Sequence, residues 1–545
     1  MNTKSIHHLA IIVLGAMFFI PFNGMVHLFD WDEAIYGEIA REMIITGDYL
    51  HPRIDFLPFM EKPPLFFWLQ VVAMKIFGIN EFAVRFPNAI CGILTLLVLY
   101  TAGTRLVDRG FGLLWVLSYA GSLLPFFYFK SAIIDPWYNL FIFSGLYFFF
   151  LMTESQKQIN MYAALSGLLL GLALLTKGPV ALILFVLPLF LYFIIKQSYP
   201  KLTINMLVFF FLPLLLTGSS WFIIQIFTGN TAFIPEFIAY QIKVFSTPFA
   251  GHTGFPLFHV VILFFGVFPT SVFAVFAFKK QKENTERVNN FRLLMIAVLL
   301  VVLVLFSLVK TKLVHYSSLA YFPLTFLASL YMYNAVVTTK KISNLFRNTL
   351  FITAIIIALL VASIPLLMIF RDDILRMNLI KDVFIVENIK ADVYWSGKEI
   401  FIPLFWLIML FIGLFVLNNN MYKFICICSA TMLFCFIIML DMVPKVEGHI
   451  QNAAIEYYKE AQQKDCYMRA LGFKSYAYLF YSQKQPTHIS ASYTDWLLYG
   501  DIDKPAYFVC KKYNENRYLS ILPLEKVAEK NGYVLLVRYP KYVRK

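Results

Sequence analysis

A succession of apolar runs, each about as long as a bilayer core is thick, constrains this chain more than any other feature. A helix needs roughly 20 predominantly apolar residues to cross hydrocarbon. About 13 runs meet the hydropathy rule, at 9–29, 86–106, 111–129, 138–152, 162–175, 180–195, 202–227, 256–278, 292–309, 313–335, 348–370, 400–418 and 424–443. Of 545 residues, 60% are hydrophobic and 14% charged, which leaves too little polar sequence to cover them as buried soluble helices. The expected fold class is therefore an α-helical polytopic membrane protein.

Charge gives the orientation. Lys196 and Lys201, then Lys279, Lys280, Lys282 and Arg287, then Lys340, Lys341 and Arg347 fall in alternate loops on the N-terminal side, which is cytoplasmic by the positive-inside rule. The net charge of +14 thus reads as topology, and clustered nucleic-acid signatures are absent, so no nucleic-acid partner is expected. The first run has no small-residue cleavage pattern before Asp30 and reads as an uncleaved signal anchor.

Residues 30–85 then form a large exoplasmic loop, with further exoplasmic segments at 228–255 and 371–399. Within the first loop, 33–46 reads as a short amphipathic helix. Ile35, Tyr36, Ile39, Ala40, Met43 and Ile44 lie on one face, Glu38, Arg41 and Glu42 on another, and Gly47 ends it. Residues 64–77 read as a more apolar helix lying at the membrane interface.

After Asp441 the texture changes. Residues 1–443 are expected to form the transmembrane domain and 445–545 a small exoplasmic α/β domain. Its strands are expected at Tyr467–Leu471, Ala506–Cys510 and Tyr533–Arg538, and its helices around 450–463 and 474–482. Cys466 and Cys510 can pair in an oxidising compartment or stay as two buried thiols. Cys91, Cys426, Cys428 and Cys435 fall in apolar runs and read as packing; no metal-ligand spacing such as Cys-x-x-Cys occurs.

The polar motifs each admit a plain and a chemical reading. Asp30, Asp32 and Glu33 suit a solvated turn with a helix N-cap, and equally put three carboxylates at the membrane surface. Lys62, in Glu61-Lys62-Pro63-Pro64, can snorkel toward headgroups; with the free amides of a proline-led helix start it also makes an anion site. Asp135, in a very short exoplasmic loop, is costly so near hydrocarbon unless it pairs or works. Thr176-Lys177-Gly178-Pro179 reads as a turn. Lys310-Thr311-Lys312, followed by His315 and Tyr316, reads as a second donor cluster able to hold phosphate. His252 lies in the central exoplasmic loop, where a lone histidine is more often structural.

Taken together, Asp32-Glu33-x-x-Tyr36-x-Glu38-x-x-Arg41-Glu42-Met43, Gly47-Asp48, Glu61-Lys62-Pro63 and Trp68 resemble the bacterial aminoarabinose-transferase-like glycosyltransferases, part of the protein O-mannosyltransferase superfamily with the GT-C fold. Asp135, Leu175-Thr176-Lys177-Gly178-Pro179, His252 before Phe255-Pro256, and Lys310-Thr311-Lys312-Leu313-x-His315-Tyr316 ahead of Pro323 extend the resemblance over residues 30–323. It implies an enzyme that takes a sugar from a polyprenyl-phosphate carrier and inverts its anomeric centre. Asp32 would be the principal catalytic carboxylate, with Glu33 and Asp135 beside it. Lys62 would hold the carrier phosphate, with Lys310, Lys312 and Tyr316 as further contacts. The remaining site candidates are Asp30, Tyr36, Glu38, Arg41, His252 and His315.

Asp30-x-Asp32 also resembles a DxD, but a donor with one phosphate needs no metal to neutralise a diphosphate, so no cofactor is required and a divalent ion stays open. A lipid A-type glycolipid, another envelope glycan and an exported protein are the candidate acceptors. Two other classes stand beside this reading. A secondary transporter would place its polar residues near the bilayer midplane, whereas these cluster at run ends on one side. A non-catalytic sugar-lipid binding protein would keep Lys62 while the carboxylates did no chemistry.

Overall fold

The apolar runs fold as a helical bundle capped on one side by the loop after the first helix and by the polar C-terminal segment. The computed structural model describes residues 3–155, 157–231, 233–246, 254–278, 284–339, 341–486 and 493–541. Among these, seven helices are long and apolar enough to cross a membrane: Glu81–Leu106, Ile159–Lys177, Glu286–Leu308, Val314–Val337, Asn344–Ile369, Lys398–Val416 and Asn420–Ile450. Three further runs are bent pairs, Arg109–Ala120 with Leu123–Lys130, Ile204–Gly218 with Ser220–Phe227, and Phe258–Gly266 with Thr270–Phe276. If each pair crosses once, the total is ten. The chain is a multi-pass membrane protein. The run at 9–29 is helical only to Phe19, two residues before Pro21, whose ring cannot continue a helix.

Small residues set the helix spacing. A Cβ on Gly167 would lie 1.9 Å from the Phe210 carbonyl oxygen, and one on Gly171 1.8 Å from Thr217 Oγ1. These two glycines, one turn apart, let Ile159–Lys177 lie against Ile204–Gly218 backbone to backbone, the contact that packs helices in a medium where burial of apolar surface drives nothing.

The first-loop helix runs Asp32–Thr46 and stops at Gly47, whose φ of 69° is the left-handed cap glycine accepts readily. Its polar face is buried along with its apolar one: every residue from Glu33 to Met43 is buried. The cover is the C-terminal segment. The Leu28 amide donates to Tyr481 Oη at 2.6 Å, and Arg41 donates to the Lys484 carbonyl at 2.7 Å. Arg41 also forks onto both oxygens of Glu38 at 2.6 Å, closing a buried pair. Glu42, one turn beyond Glu38, accepts from the Phe56 amide at 2.9 Å.

Burial, with the Glu38 charge adding, pushes the Glu42 carboxyl up to about 9. Folding therefore takes up a proton between the ordinary carboxylate range and about pH 9, and stability falls as pH rises through that window. Glu42→Gln keeps the neutral shape and is expected to flatten that slope. Melting temperatures in detergent from pH 5 to 9 check it; an unchanged slope would place the proton elsewhere.

Beyond the last long helix, which continues unbroken from Asn420 to Ile450 through the change in composition, lies a four-stranded sheet. Its order is Tyr467–Leu471, Ala506–Lys511, Tyr533–Arg538 and Glu525–Lys530, parallel in the first pair and antiparallel in the others. The strand Glu525–Lys530 was not expected. It is an exposed edge rich in charge, without the apolar run that marks its neighbours in the sheet. Cys466 and Cys510 are both free. Cys510 pairs in register with Leu471, whereas Cys466 precedes the other end of that strand, so about 15 Å of ladder separates them. A disulfide tolerates under roughly 7 Å.

Candidate active site

Four backbone breaks bring the site together: the start of Asp32–Thr46, the start of Asp135–Glu154, the turn after Ile159–Lys177, and the 3-10 helix Val314–Ala320. Asp135 opens its helix with Pro136 at the next position, where a proline costs no hydrogen bond. Its buried carboxylate receives Lys177 Nζ at 2.6 Å. His315 Nε2 lies 3.9 Å from Asp135 Oδ2 and 3.7 Å from Asp32 Oδ2, an imidazole between two carboxylates at distances too long for hydrogen bonds. The Asp32 side chain keeps 37% exposure, against 5% for Asp135. One carboxylate faces the open side of the site and the other is pinned beneath it.

Lys62 reaches the same cavity from the first loop. Its ammonium stands 5.2 Å from the centroid of the Tyr240 ring and donates to the Glu61 carbonyl. Tyr240 Oη donates to Glu61 Oε2 at 2.5 Å, and Gln241 to the Glu61 carbonyl, so helix Phe233–Ser246 clasps the Glu61-Lys62 pair. Burial holds the Lys62 ammonium below its ordinary range; the Lys177 charge adds to this, while Glu61, Asp32 and Asp135 oppose it. The same three carboxylates, after burial, push the Tyr36 hydroxyl upward, so it stays protonated beside them. Lys177 stands 5.3 Å from the Tyr316 ring centroid. The cavity thus has a polar wall of Lys62, Lys177, Asp135 and Tyr316, and an apolar one that includes Val180, Ile183, Leu184 and Leu305.

Other expected site residues lie elsewhere. Glu33 is fully engaged: Arg85 donates to its two oxygens at 2.9 and 2.7 Å, the Ala132 amide to Oε1 at 2.6 Å, and the Phe29 amide to Oε2 at 2.9 Å. It ties the start of the first-loop helix to the turn that ends in Asp135. Asp30 Oδ1 accepts from the amides of Tyr476 and Ala477 and so points at the C-terminal segment. Trp31, at φ 74°, turns the chain so that Asp30 and Asp32 diverge, which removes the DxD pair. That backbone costs on the order of 1–3 kcal/mol in a non-glycine residue; the Asp30 bonds and the packing of the Trp31 ring near Tyr476 hold it.

Glu38 and Arg41 pair with each other outside the cavity. Lys312 donates to the carbonyls of Phe306 and Ser307 and caps the end of Glu286–Leu308. Lys310 is exposed and does not line the cavity. His252 lies outside the described residues. No group of three or more His, Cys, Asp or Glu among the described residues is placed to hold a metal ion.

Lys177 is the residue that sequence reasoning passed over. Gly178, at φ 91°, makes the turn reading correct as far as it goes, and a Cβ there would meet the Phe237 ring at 2.6 Å. The overlooked signal was position: a lysine ending an apolar helix on the same side as Asp135 has a carboxylate within reach, and a charge so near hydrocarbon is costly unless it pairs.

The fold over nearly the whole chain is that of a solved multi-pass membrane protein, ArnT. The crystal structure of ArnT from Cupriavidus metallidurans bound to undecaprenyl phosphate superposes with a TM-score of 0.74 at 17% identity, covering 98% of each chain, and the apo form with 0.76. Residues 61–221 match the family described as dolichyl-phosphate-mannose-protein mannosyltransferase. The undecaprenyl phosphate-alpha-4-amino-4-deoxy-L-arabinose arabinosyl transferase of Photorhabdus laumondii is 30% identical over 190 residues, 33% of this chain and 34% of its own. That of Yersinia pestis is 33% identical over 178 residues, 31% and 32%. The sequence match thus spans about a third of the length of these curated relatives.

Proposed function

We propose that this protein is an inverting glycosyltransferase that moves a sugar from a polyprenyl-phosphate carrier to an acceptor at the exoplasmic face of the plasma membrane. The observation that carries the reading is the convergence of Lys62, Lys177 and Asp135, from three separate segments, on one cavity with an apolar wall, with Asp32 set across His315 from Asp135. The carrier's lipid suits the apolar wall and its phosphate the two ammonium groups. An acceptor oxygen attacks the anomeric carbon as the bond from that carbon to the phosphate oxygen breaks. Lys62, Lys177 and the Tyr316 hydroxyl then face the negative charge that builds on the departing phosphate. Asp32, on the open side, takes the proton of an attacking hydroxyl. Asp135, held by Lys177, fixes that ammonium in place and lends negative potential near the anomeric carbon. Glu33 and Arg85 act by positioning.

The names of the sequence relatives favour aminoarabinose as the sugar and a lipid A-like glycolipid as acceptor, ahead of another envelope glycan or an exported protein. The lysine-rich loops opposite the site support an exoplasmic, in bacteria periplasmic, active site.

The test is transfer of label from polyprenyl-phosphate sugars to extracted envelope lipids by the purified protein in nanodiscs. Transfer supports the reading; movement of the donor across the bilayer, or binding alone, replaces it by the transporter or the binding protein. Lys62→Ala and Lys177→Met should each weaken donor binding about 10–100-fold, the worth of a charge-assisted hydrogen bond. Unchanged affinity in both would remove the phosphate assignment.

A further inference from the structure

A second cavity lies away from the one above. It is a cleft of about 610 Å³ on the C-terminal sheet, between the edge strand Tyr467–Leu471, the end of helix Asn452–Ala461 and helix Tyr493–Tyr499. That volume lies in the range of small-molecule sites. The geometry points to a carbohydrate subsite here, one that takes one or more neutral sugar rings of a glycan or glycolipid.

Three aromatic rings form its core. Trp496 meets Tyr467 edge-on at 5.2 Å and stacks on Tyr493 at 6.1 Å, with Tyr493 buried as backing and the other two part-exposed. Such rings offer flat apolar faces to the C–H face of a pyranose while their edges stay polar. Around them stand groups that bond hydroxyls in either sense, the amides of Gln483 and Gln485 and the carboxylates of Asp465 and Asp503.

The charges are already matched within the protein. Lys504 pairs with Asp465 at 2.6 Å, Tyr467 Oη donates to Asp503 at 2.8 Å, the Lys484 ammonium is held by Asp55, and Lys464, the third lysine of the cleft, lies 3.9 Å from Glu460. A cleft whose cations are neutralised has little to offer a phosphate, and one so polar has little to offer a lipid tail. A neutral polyol with an apolar face fits both conditions.

The cleft also adjoins the first loop. Lys484 lies over the Tyr493 ring at 3.9 Å while bonding Asp55, in the segment that leads to Lys62. A sugar held here would sit on the same exoplasmic mass as the site. Its service to acceptor capture rests on the transferase reading; the binding itself does not.

The experiment measures intrinsic tryptophan fluorescence and saturation-transfer NMR on the full-length protein in nanodiscs, with maltotriose and chitotriose as probes. Saturable binding of either is expected, weakened about tenfold or more in Trp496→Ala and largely kept in Trp496→Phe, with melting temperatures unchanged. No binding of either sugar, or binding indifferent to Trp496→Ala, overturns the subsite. Preferential binding of inorganic phosphate or of a short peptide overturns it as well. Sugar binding without any glycosyl transfer would leave the subsite standing while removing the transferase reading; transfer without sugar binding would do the reverse.

Discussion

Asp32→Asn is expected to lower kcat by about 10²–10⁴-fold, the usual worth of a positioned general base, while leaving donor affinity and melting temperature close to those of the parent. The side chain is part-exposed, makes no hydrogen bond that supports the fold among the described contacts, and lies 3.7 Å from His315. Asparagine keeps its size and removes its charge and basicity together. The companion change Asp135→Asn should behave differently. It breaks a 2.6 Å ion pair at a buried position and frees Lys177 to move, so it should raise the donor Kd as well as lower kcat. Steady-state kinetics beside equilibrium donor binding separate the two.

The pH–rate profile and solvent isotope effect of the unaltered protein then divide acceptor classes. A titrating base with proton transfer in the slow step fits a hydroxyl acceptor. A flat profile fits a phosphate, already anionic, for which Asp32 would instead stabilise positive charge at the anomeric carbon. Full activity in Asp32→Asn would remove its assignment for both.

What could be read from the sequence was local. The helix at 33–46, its end at Gly47 and the apolar helix at 64–77 appear within a residue or so as Asp32–Thr46 and Leu65–Phe77, because period and capping act over a few neighbours. Three of the four strands stood out as short runs rich in apolar and aromatic residues; the charged edge Glu525–Lys530 was not one. What escaped was decided by partners far along the chain. Glu38 and Arg41 were counted among the site candidates because nothing near them announces that residues 477–484 will cover their face and leave them paired with each other. Lys177 read as a turn because its carboxylate lies 42 positions away. Lys312 was given a phosphate because a lysine just past a helix end serves equally well as a cap, and only the carbonyls of Phe306 and Ser307 decide between them.

The Glu33–Arg85 pair is where the fold and the chemistry meet, and Arg85→Met is expected to cost about 3–5 kcal/mol, the penalty for stranding a buried charge. Both side chains are almost fully buried. Beyond Glu33, the guanidinium donates to the carbonyls of Asn23, Val26 and His27, the irregular stretch between the first helix and Asp30. Arg85 therefore holds the path by which the chain leaves the membrane, and Glu33 carries that order on to the Ala132 amide and so to Asp135. Losing the arginine should lower the melting temperature and, in whatever protein remains folded, separate Asp32 from Asp135. The double variant Glu33→Gln, Arg85→Met removes the stranded charge and should regain part of the stability, the three carbonyls staying unpaired. It should regain little activity, because the neutral amide can no longer draw the two carboxylate-bearing segments together. Melting temperatures and kcat measured on the single and double variants test this. Arg85→Met with parental stability, or a double variant with parental turnover, would show that Asp32 and Asp135 are held by something other than this pair.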